Sequence, residues 1–282
     1  MKQVYQEALH QDYGQFFTIA HELYREKTEH QDLVIFENAA FGKVLALDGI
    51  IQTTTGDNHI YHEMLVHVPL LAHGNARNIL IIGGGDGGTL REAVKHPLDK
   101  ATMVEIDSHV IELSKEYLPE LSDGAFDHPR AEVIVGDGYA FVEQTDRRFD
   151  VIIVDSSDPV GPSAVLFSEA FYRNCRRCLN PGGILITQNG VPYLQSDELT
   201  NGHRILSKLF EDMTFYLATV PTYSGGPMAF GWASNAPEHR NTPVEILRER
   251  YSDQALQTSY YTPDIHKGAF ALPPRVSRLM KD

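Results

Sequence analysis

The chain has 282 residues, 42% of them hydrophobic and 22% charged, enough for one large core or a main domain with a smaller companion. Its 24 basic and 38 acidic residues leave a net charge of −14, which argues against nucleic acid as a partner and suits a cationic ligand. No apolar run approaches the roughly 20 residues of a membrane span, and Met1–His10 lacks the apolar stretch of a secretory leader, so a cytoplasmic protein without a membrane partner is expected.

Residues 13 to about 55 alternate apolar and polar side chains in short runs, as in Gln15–Ile19, Leu33–Phe36 and Val44–Leu47. Asp48-Gly49 then separates the last run from Ile50-Ile51-Gln52-Thr53, and Asp-Gly between apolar runs is a strong hairpin signal. A small antiparallel β-unit is expected over residues 1–57. From about residue 59 the texture changes. His59 to His73 spaces its apolar residues as a helix does, and Asn78–Ile82 follows as an apolar run ending in glycines. Thr102–Ile106, Glu132–Val135, Val151–Val154 and Ile184–Thr187 repeat that character, with helical patterns between them. Short strands apolar on both faces and alternating with helices indicate a parallel sheet covered on both sides. The expected fold class is α/β: a Rossmann-like, methyltransferase-type doubly wound sheet over 58–282, preceded by the small N-terminal β-domain. Ligands of such sheets collect beyond the carboxyl ends of the strands.

Beyond the first of those strands stands Gly83-Gly84-Gly85-Asp86-Gly87-Gly88, opening a helix at Thr89. Gly83, Gly85 and Gly88 fit G-x-G-x-x-G, and Glu105 lies 20 residues past Gly85 at the end of the next strand. That context fits a nucleoside site, with the carboxylate on ribose hydroxyls. Asp86 narrows the choice. A dinucleotide's pyrophosphate would sit on this loop and be repelled by a carboxylate there. A sulfonium, or an ammonium on a short tail, would be attracted, and a donor without its own carboxylate is preferred over ordinary S-adenosylmethionine. Gly136-Asp137-Gly138 follows the next strand, where Asp137 can accept from an adenine amino group, cap the helix beginning at Tyr139, or do both.

The stretch Asp155-Ser156-Ser157-Asp158-Pro159-Val160-Gly161-Pro162 follows strand Val151–Val154. Two carboxylates three residues apart in a loop stiffened by prolines are costly unless they hold a cation, and a diamine is such a partner. Its attacking nitrogen must be deprotonated. With an amine pKa of about 10.4, roughly one molecule in a thousand is ready at neutral pH. Asp155 can orient that amine and take its proton as the bond forms. The sulfonium leaves as a neutral thioether, so neither metal nor acid is required, and the barrier concerns in-line alignment. Cys175 and Cys178 have CxxC spacing without a second pair for zinc, and read as half-buried thiols on a helix running into the turn Asn180–Gly183. No metal pattern is found among the 13 histidines.

Across nearly its whole length the chain resembles the spermidine synthase family of polyamine aminopropyltransferases. The likeness is carried by His30–Leu33, Leu47–Gly49, Tyr61–Met64, Gly83–Gly88, Val104–Asp107, Asp137-Gly138, Asp155–Pro162, Asn180–Gly183 and Pro221–Tyr223. The acidic loop is its specific part, since the glycine motif is shared with methyltransferases. The resemblance implies that Asp155 is the proton acceptor, with Asp158 beside it. It places Gln31, Glu105, Asp137, Gly138 and Pro162 around the nucleoside, and His62, Asp86, Tyr61 and Tyr223 around the aminopropyl tail or the amine; the position of His62 alternates between His and Gln among relatives. It further implies putrescine as acceptor, decarboxylated S-adenosylmethionine as co-substrate with no other cofactor, a lid near 158–166, and a homodimer or homotetramer. Competing readings are an S-adenosylmethionine-dependent N-methyltransferase, a nicotinamide-dependent dehydrogenase, and a polyamine sensor without catalysis.

Overall fold

The computed structural model describes residues 3–27, 32–159 and 161–281, with the backbone alone for Gly161 and Pro162. Strands β1 (Val4–Gln6) and β2 (Phe16–Thr18) form an antiparallel pair. Strands β3 (His21–Lys27), β4 (Asp32–Asn38), β5 (Gly42–Leu47) and β6 (Ile50–Thr54) follow as an antiparallel sheet in sequential order. Asp48 and Gly49 turn between β5 and β6 with φ of 50° and 85°, so Leu47 pairs with Ile50 as the Asp-Gly signal requires. The alternation along β4 does not leave one face in water. Val34 and Phe36 pack with Phe17, Val44 and Ile51, whereas Leu33 and Ile35 pack on Val110, Leu113 and Leu121 of the neighbouring helices.

The larger unit begins with helix α1 (Asn58–His73), β7 (Asn78–Gly83), α2 (Gly88–Val94), β8 (Lys100–Glu105), α3 (Ser108–Tyr117), α4 (Pro119–Ser122) and β9 (Ala131–Val135). It continues through α5 (Gly138–Gln144), β10 (Phe149–Asp155), α6 (Glu169–Cys178), β11 (Leu179–Gln188), α7 (Ser196–Leu209), β12 (Asp212–Ala218) and β13 (Met228–Ser234). Helices α8 (Val244–Asp253), α9 (Pro263–Ala269) and α10 (Pro274–Leu279) close the chain. The seven-stranded sheet runs β12-β13-β11-β10-β7-β8-β9, with β11 to β9 parallel and β12 and β13 antiparallel at one edge. Alternate residues of the central strands face opposite layers. Ile79, Ile81, Ile153 and Ile186 meet Met64, Leu65 and Val68 of α1, while Leu80, Ile82, Ile152 and Leu185 meet Val142, Phe171 and Leu206 of α5 to α7. Each such side chain contributes about 1.5–3 kcal/mol on burial, which is why these runs are apolar without alternation.

Two sequence expectations are corrected. The thiols of Cys175 and Cys178 are fully buried rather than half-buried, because both face the layer between α6 and the sheet. Residues Asn180–Gly183 lie inside β11, as an irregular start where the pairing with β10 shifts register, and Asn180 Nδ2 donates to Asp150 Oδ1 at 2.7 Å. Among the described residues no helix is long and apolar enough to cross a membrane.

Candidate active site

The chain lays β7, β8 and β9 outward in one direction and then returns to place β10 and β11 on the other side of β7. The crevice beyond the carboxyl ends of β7 and β10 is therefore the point where the topology switches, the place such sheets bind ligands. Gly83 and Asp155, the last residues of those strands, are paired there. Gly83 has φ +84°, and a Cβ on it would stand 2.1 Å from the Asp155 carbonyl oxygen, so only glycine fits. The loop then turns against β10 through a bond from Gly84 N–H to that carbonyl, 2.9 Å.

The carboxylate of Asp155 is held from two sides. Tyr61 on α1 donates its hydroxyl to Oδ1 at 2.7 Å, and Thr89 in the first turn of α2 donates to Oδ2 at 2.6 Å. Burial pushes the Asp155 carboxyl above its ordinary range and the charge of Asp86 adds to this, outweighing the opposite pull of His62 and the two hydroxyls. Asp86 turns inward. Its Oδ1 accepts from Gly88 N–H at 2.8 Å and its Oδ2 stands 3.4 Å from His62 Nε2. The other His62 nitrogen, Nδ1, is 3.4 Å from Asn58 Oδ1, and that amide is oriented by Asn58 Nδ2 donating to Thr55 O and Arg91 donating to Oδ1. Both imidazole nitrogens thus face acceptors, the arrangement of an imidazolium. Burial alone would lower the His62 pKa, but the Asp86 carboxylate raises it above the usual value, and His62 in turn holds Asp86 low against its own burial.

Aromatic rings wall this region. Tyr61 meets Tyr223 edge-on, with centroids 5.8 Å apart, and Tyr223 donates its hydroxyl to Gln52 O at 2.5 Å. Asp158 is half-buried, with Gln188 Nε2 at 3.5 Å from its Oδ1, and burial raises its carboxyl. On the far side of the glycine loop, Glu105 accepts from Asp107 N–H at 3.0 Å, and burial pushes it up to about 7. Asp137 caps α5 by accepting from Tyr139 and Ala140 N–H at 2.7 and 3.3 Å, with Gly138 opening that helix. Among the described residues no group of three or more His, Cys, Asp or Glu could hold a metal ion.

Two family models match the chain: the spermine/spermidine synthase domain over residues 58–243, and the spermidine synthase tetramerisation domain over residues 3–55. The chain belongs to the spermine/spermidine synthase family. Among curated relatives it is similar to polyamine aminopropyltransferase 1 of Pseudomonas aeruginosa, 58% identical over 273 residues and 96% of each chain. It is likewise similar to the polyamine aminopropyltransferase of Serratia proteamaculans, 54% identical over 96% of this chain and 95% of that one. Among solved structures it superposes on a spermidine synthase in complex with the transition state analogue AdoDATO, with a TM-score of 0.93, 37% identity, and coverage of 99% and 95%. Spermidine synthase from Thermotoga maritima gives a TM-score of 0.91 at 37% identity, covering 99% and 94%.

Of the residues singled out from the sequence, the fold brings Tyr61, His62, Asp86 and Asp155 into direct contact. Glu105, Asp137 and Gly138 stand along the same strand-end rim of this synthase-family sheet. Gln31 lies outside the described residues, as does the side chain of Pro162. Three contributors were not singled out. Thr89 and Gln188 touch the two loop carboxylates, and the signal that finds them is position alone, the first helical turn after the glycines and the end of the strand after Ile184. Ile106, 62% exposed just after Glu105, leaves an apolar face open at this rim.

Proposed function

We propose that this synthase-family enzyme transfers the aminopropyl group of decarboxylated S-adenosylmethionine to putrescine, giving spermidine and 5′-methylthioadenosine. Glu105 takes the ribose hydroxyls, Asp137, Gly138, Gln31 and Pro162 surround the adenine end, and Ile106 offers its apolar face to the base. Asp86 attracts the ammonium of the aminopropyl tail. The acceptor's nitrogen lies against Asp155, its methylenes between Tyr61 and Tyr223, and its far ammonium toward Asp158. His62 sits behind Asp86 and sets its charge. In the reaction the nitrogen lone pair forms a bond to the methylene carbon next to sulfur, the carbon–sulfur bond breaks, and its electron pair returns the sulfonium to a neutral thioether. Asp155 accepts the proton that the new ammonium sheds.

The observation that carries this reading is the Asp155 carboxylate at the topological switch, oriented by two hydroxyls and raised by burial, hence a better base than an exposed aspartate. Putrescine as the acceptor, residues 1–57 as an assembly unit ahead of a catalytic unit at 58–282, a homodimer or homotetramer, a cytoplasmic setting and no cofactor beyond the co-substrate belong to the same reading. The test is a product assay with each donor across putrescine, cadaverine, agmatine and spermidine. Spermidine is expected from putrescine with the decarboxylated donor; methyl transfer from S-adenosylmethionine with no aminopropyl product would overturn it. Asp155→Asn is expected to cut kcat at least about a hundredfold with nucleoside binding nearly unchanged.

A further inference from the structure

Glu198 lies in the first turn of α7, and none of the roles above uses it. Its Oε1 accepts from Gln195 Nε2 at 2.8 Å, while its Oε2 is shielded from solvent without a hydrogen-bond partner among the described residues. Buried acceptors are almost always satisfied, so an orphaned carboxylate oxygen asks what it serves. The amide that reaches Glu198 is fixed in orientation. Gln195 Oε1 accepts from Val191 N–H at 2.8 Å, which turns its NH2 group toward the acids, and Gln195 stands near enough to Asp158 to draw its carboxyl down against burial. Gly190 makes room for this: at φ +59° it has no Cβ, and one would lie 2.7 Å from the Gln195 amide. One oriented amide therefore stands between Glu198, which it bonds, and Asp158 at the far end of the acceptor site.

The two ends of the site differ in charge balance. Asp86 has its counter-ion in His62. Glu198 feels the like charge of Asp158, and burial together with that charge pushes its carboxyl up to about 8. Two partly buried carboxylates of like charge on either side of a neutral amide, with one oxygen of Glu198 unpartnered, are a receptor for a cation supplied from outside. Resting on the reading of the reaction given above, we infer that Glu198 is a specificity-determining residue: held by Gln195 beside Asp158, it binds the second ammonium group of a diamine acceptor and so selects doubly charged acceptors over monoamines. The attacking nitrogen lies at Asp155 and does not meet Glu198, so the residue acts on recognition of the far end and not on the displacement.

The test compares putrescine with n-pentylamine, in which a methyl group replaces the far ammonium, using saturating decarboxylated donor. A charge-assisted hydrogen bond is worth about 10- to 100-fold in binding. Glu198→Gln is expected to lower kcat/KM for putrescine by that factor, through KM, while n-pentylamine turnover and the donor KM change by no more than about twofold. Glu198→Asp should recover part of the loss, and Gln195→Leu, which breaks the link from the other side, should reproduce it if the first variant folds poorly. Equal losses on both amines, or none on putrescine, overturn the role of Glu198 while leaving the reaction standing. A wild-type enzyme that transfers no aminopropyl group to any amine removes the reaction and this role together.

Discussion

Burial pushes the Glu105 carboxyl to about 7 from an ordinary 4.5. Because the folded-state value is the higher one, the folded protein binds an extra proton between them, and stability falls as pH rises through that window. At 1.36 kcal/mol per unit the ionised form costs about 3 kcal/mol above pH 7. In the proposed function the same ionised form is the stronger acceptor for the donor's ribose diol, which would set binding against stability at this residue. Glu105→Gln is expected to raise the melting temperature at pH 8 by roughly 5–10 °C, with the gap closing toward pH 5, and to weaken donor binding tenfold or more. Calorimetry at the two pH values, paired with donor titration, checks both; a variant no more stable at pH 8 would remove desolvation as the governing cause. Glu105, Asp86 and Asp155 were legible in the sequence because each ends a strand or sits in a glycine loop, where a charge has no structural excuse. Thr89 and Glu198 were not, since a hydroxyl or an acid in a first helical turn looks like a cap until its partner across the fold is known.

Helix α1 aims three successive side chains in three directions about 100° apart. Tyr61 reaches Asp155, His62 faces Asp86, and Glu63 turns away to accept from the backbone N–H groups of Ser259, Tyr260 and Tyr261 at 2.7, 2.8 and 2.7 Å. The last contact ties the segment ahead of α9, beyond the matched synthase domain, to the helix that presents the site. Glu63→Ala leaves three donors unpaired, at a cost of about 3 kcal/mol or more. Hydrogen exchange is expected to show amides 259–261 losing protection before the central strands do, and unchanged protection there would show that the segment is held by its apolar contacts alone. At this scale most of the parallel strands were readable, since β7, β8, β10 and the second half of β11 are doubly buried runs, whereas the edge strand β9 is only half-buried. The antiparallel edge was not. Strand β13, Met228-Ala229-Phe230-Gly231-Trp232-Ala233-Ser234, is buried at every position and mixes small with large residues, so no period of two marks it.

The N-terminal pair of strands bears on the site from a distance. Gln15 Nε2 donates to Thr222 O at 2.6 Å and to Glu7 Oε2 at 2.9 Å, and Asp57 Oδ2 accepts from Thr222 N–H and hydroxyl at 2.7 and 2.5 Å. Thr222 is thereby pinned next to Tyr223, the ring that faces Tyr61. The outer face of the same pair sets two open apolar side chains beside Gln6 and Thr18: Val4 is 54% exposed and Phe16 72%, while Tyr5 and Phe17 turn to the core. The span containing them matches a tetramerisation domain, and a second copy of this chain is the partner expected to cover that face. A single chain could not display this in its alternation, which marks two faces without saying what covers the outer one. Phe16→Asp is expected to shift the assembly to smaller species in light scattering after gel filtration. Because Gln15 adjoins Phe16, the same variant should raise KM for the acceptor severalfold and leave the donor KM unchanged. An assembly of undiminished mass would move the contact to another face, and a smaller assembly with unaltered acceptor KM would show that Gln15 braces Thr222 without help from the neighbouring subunit.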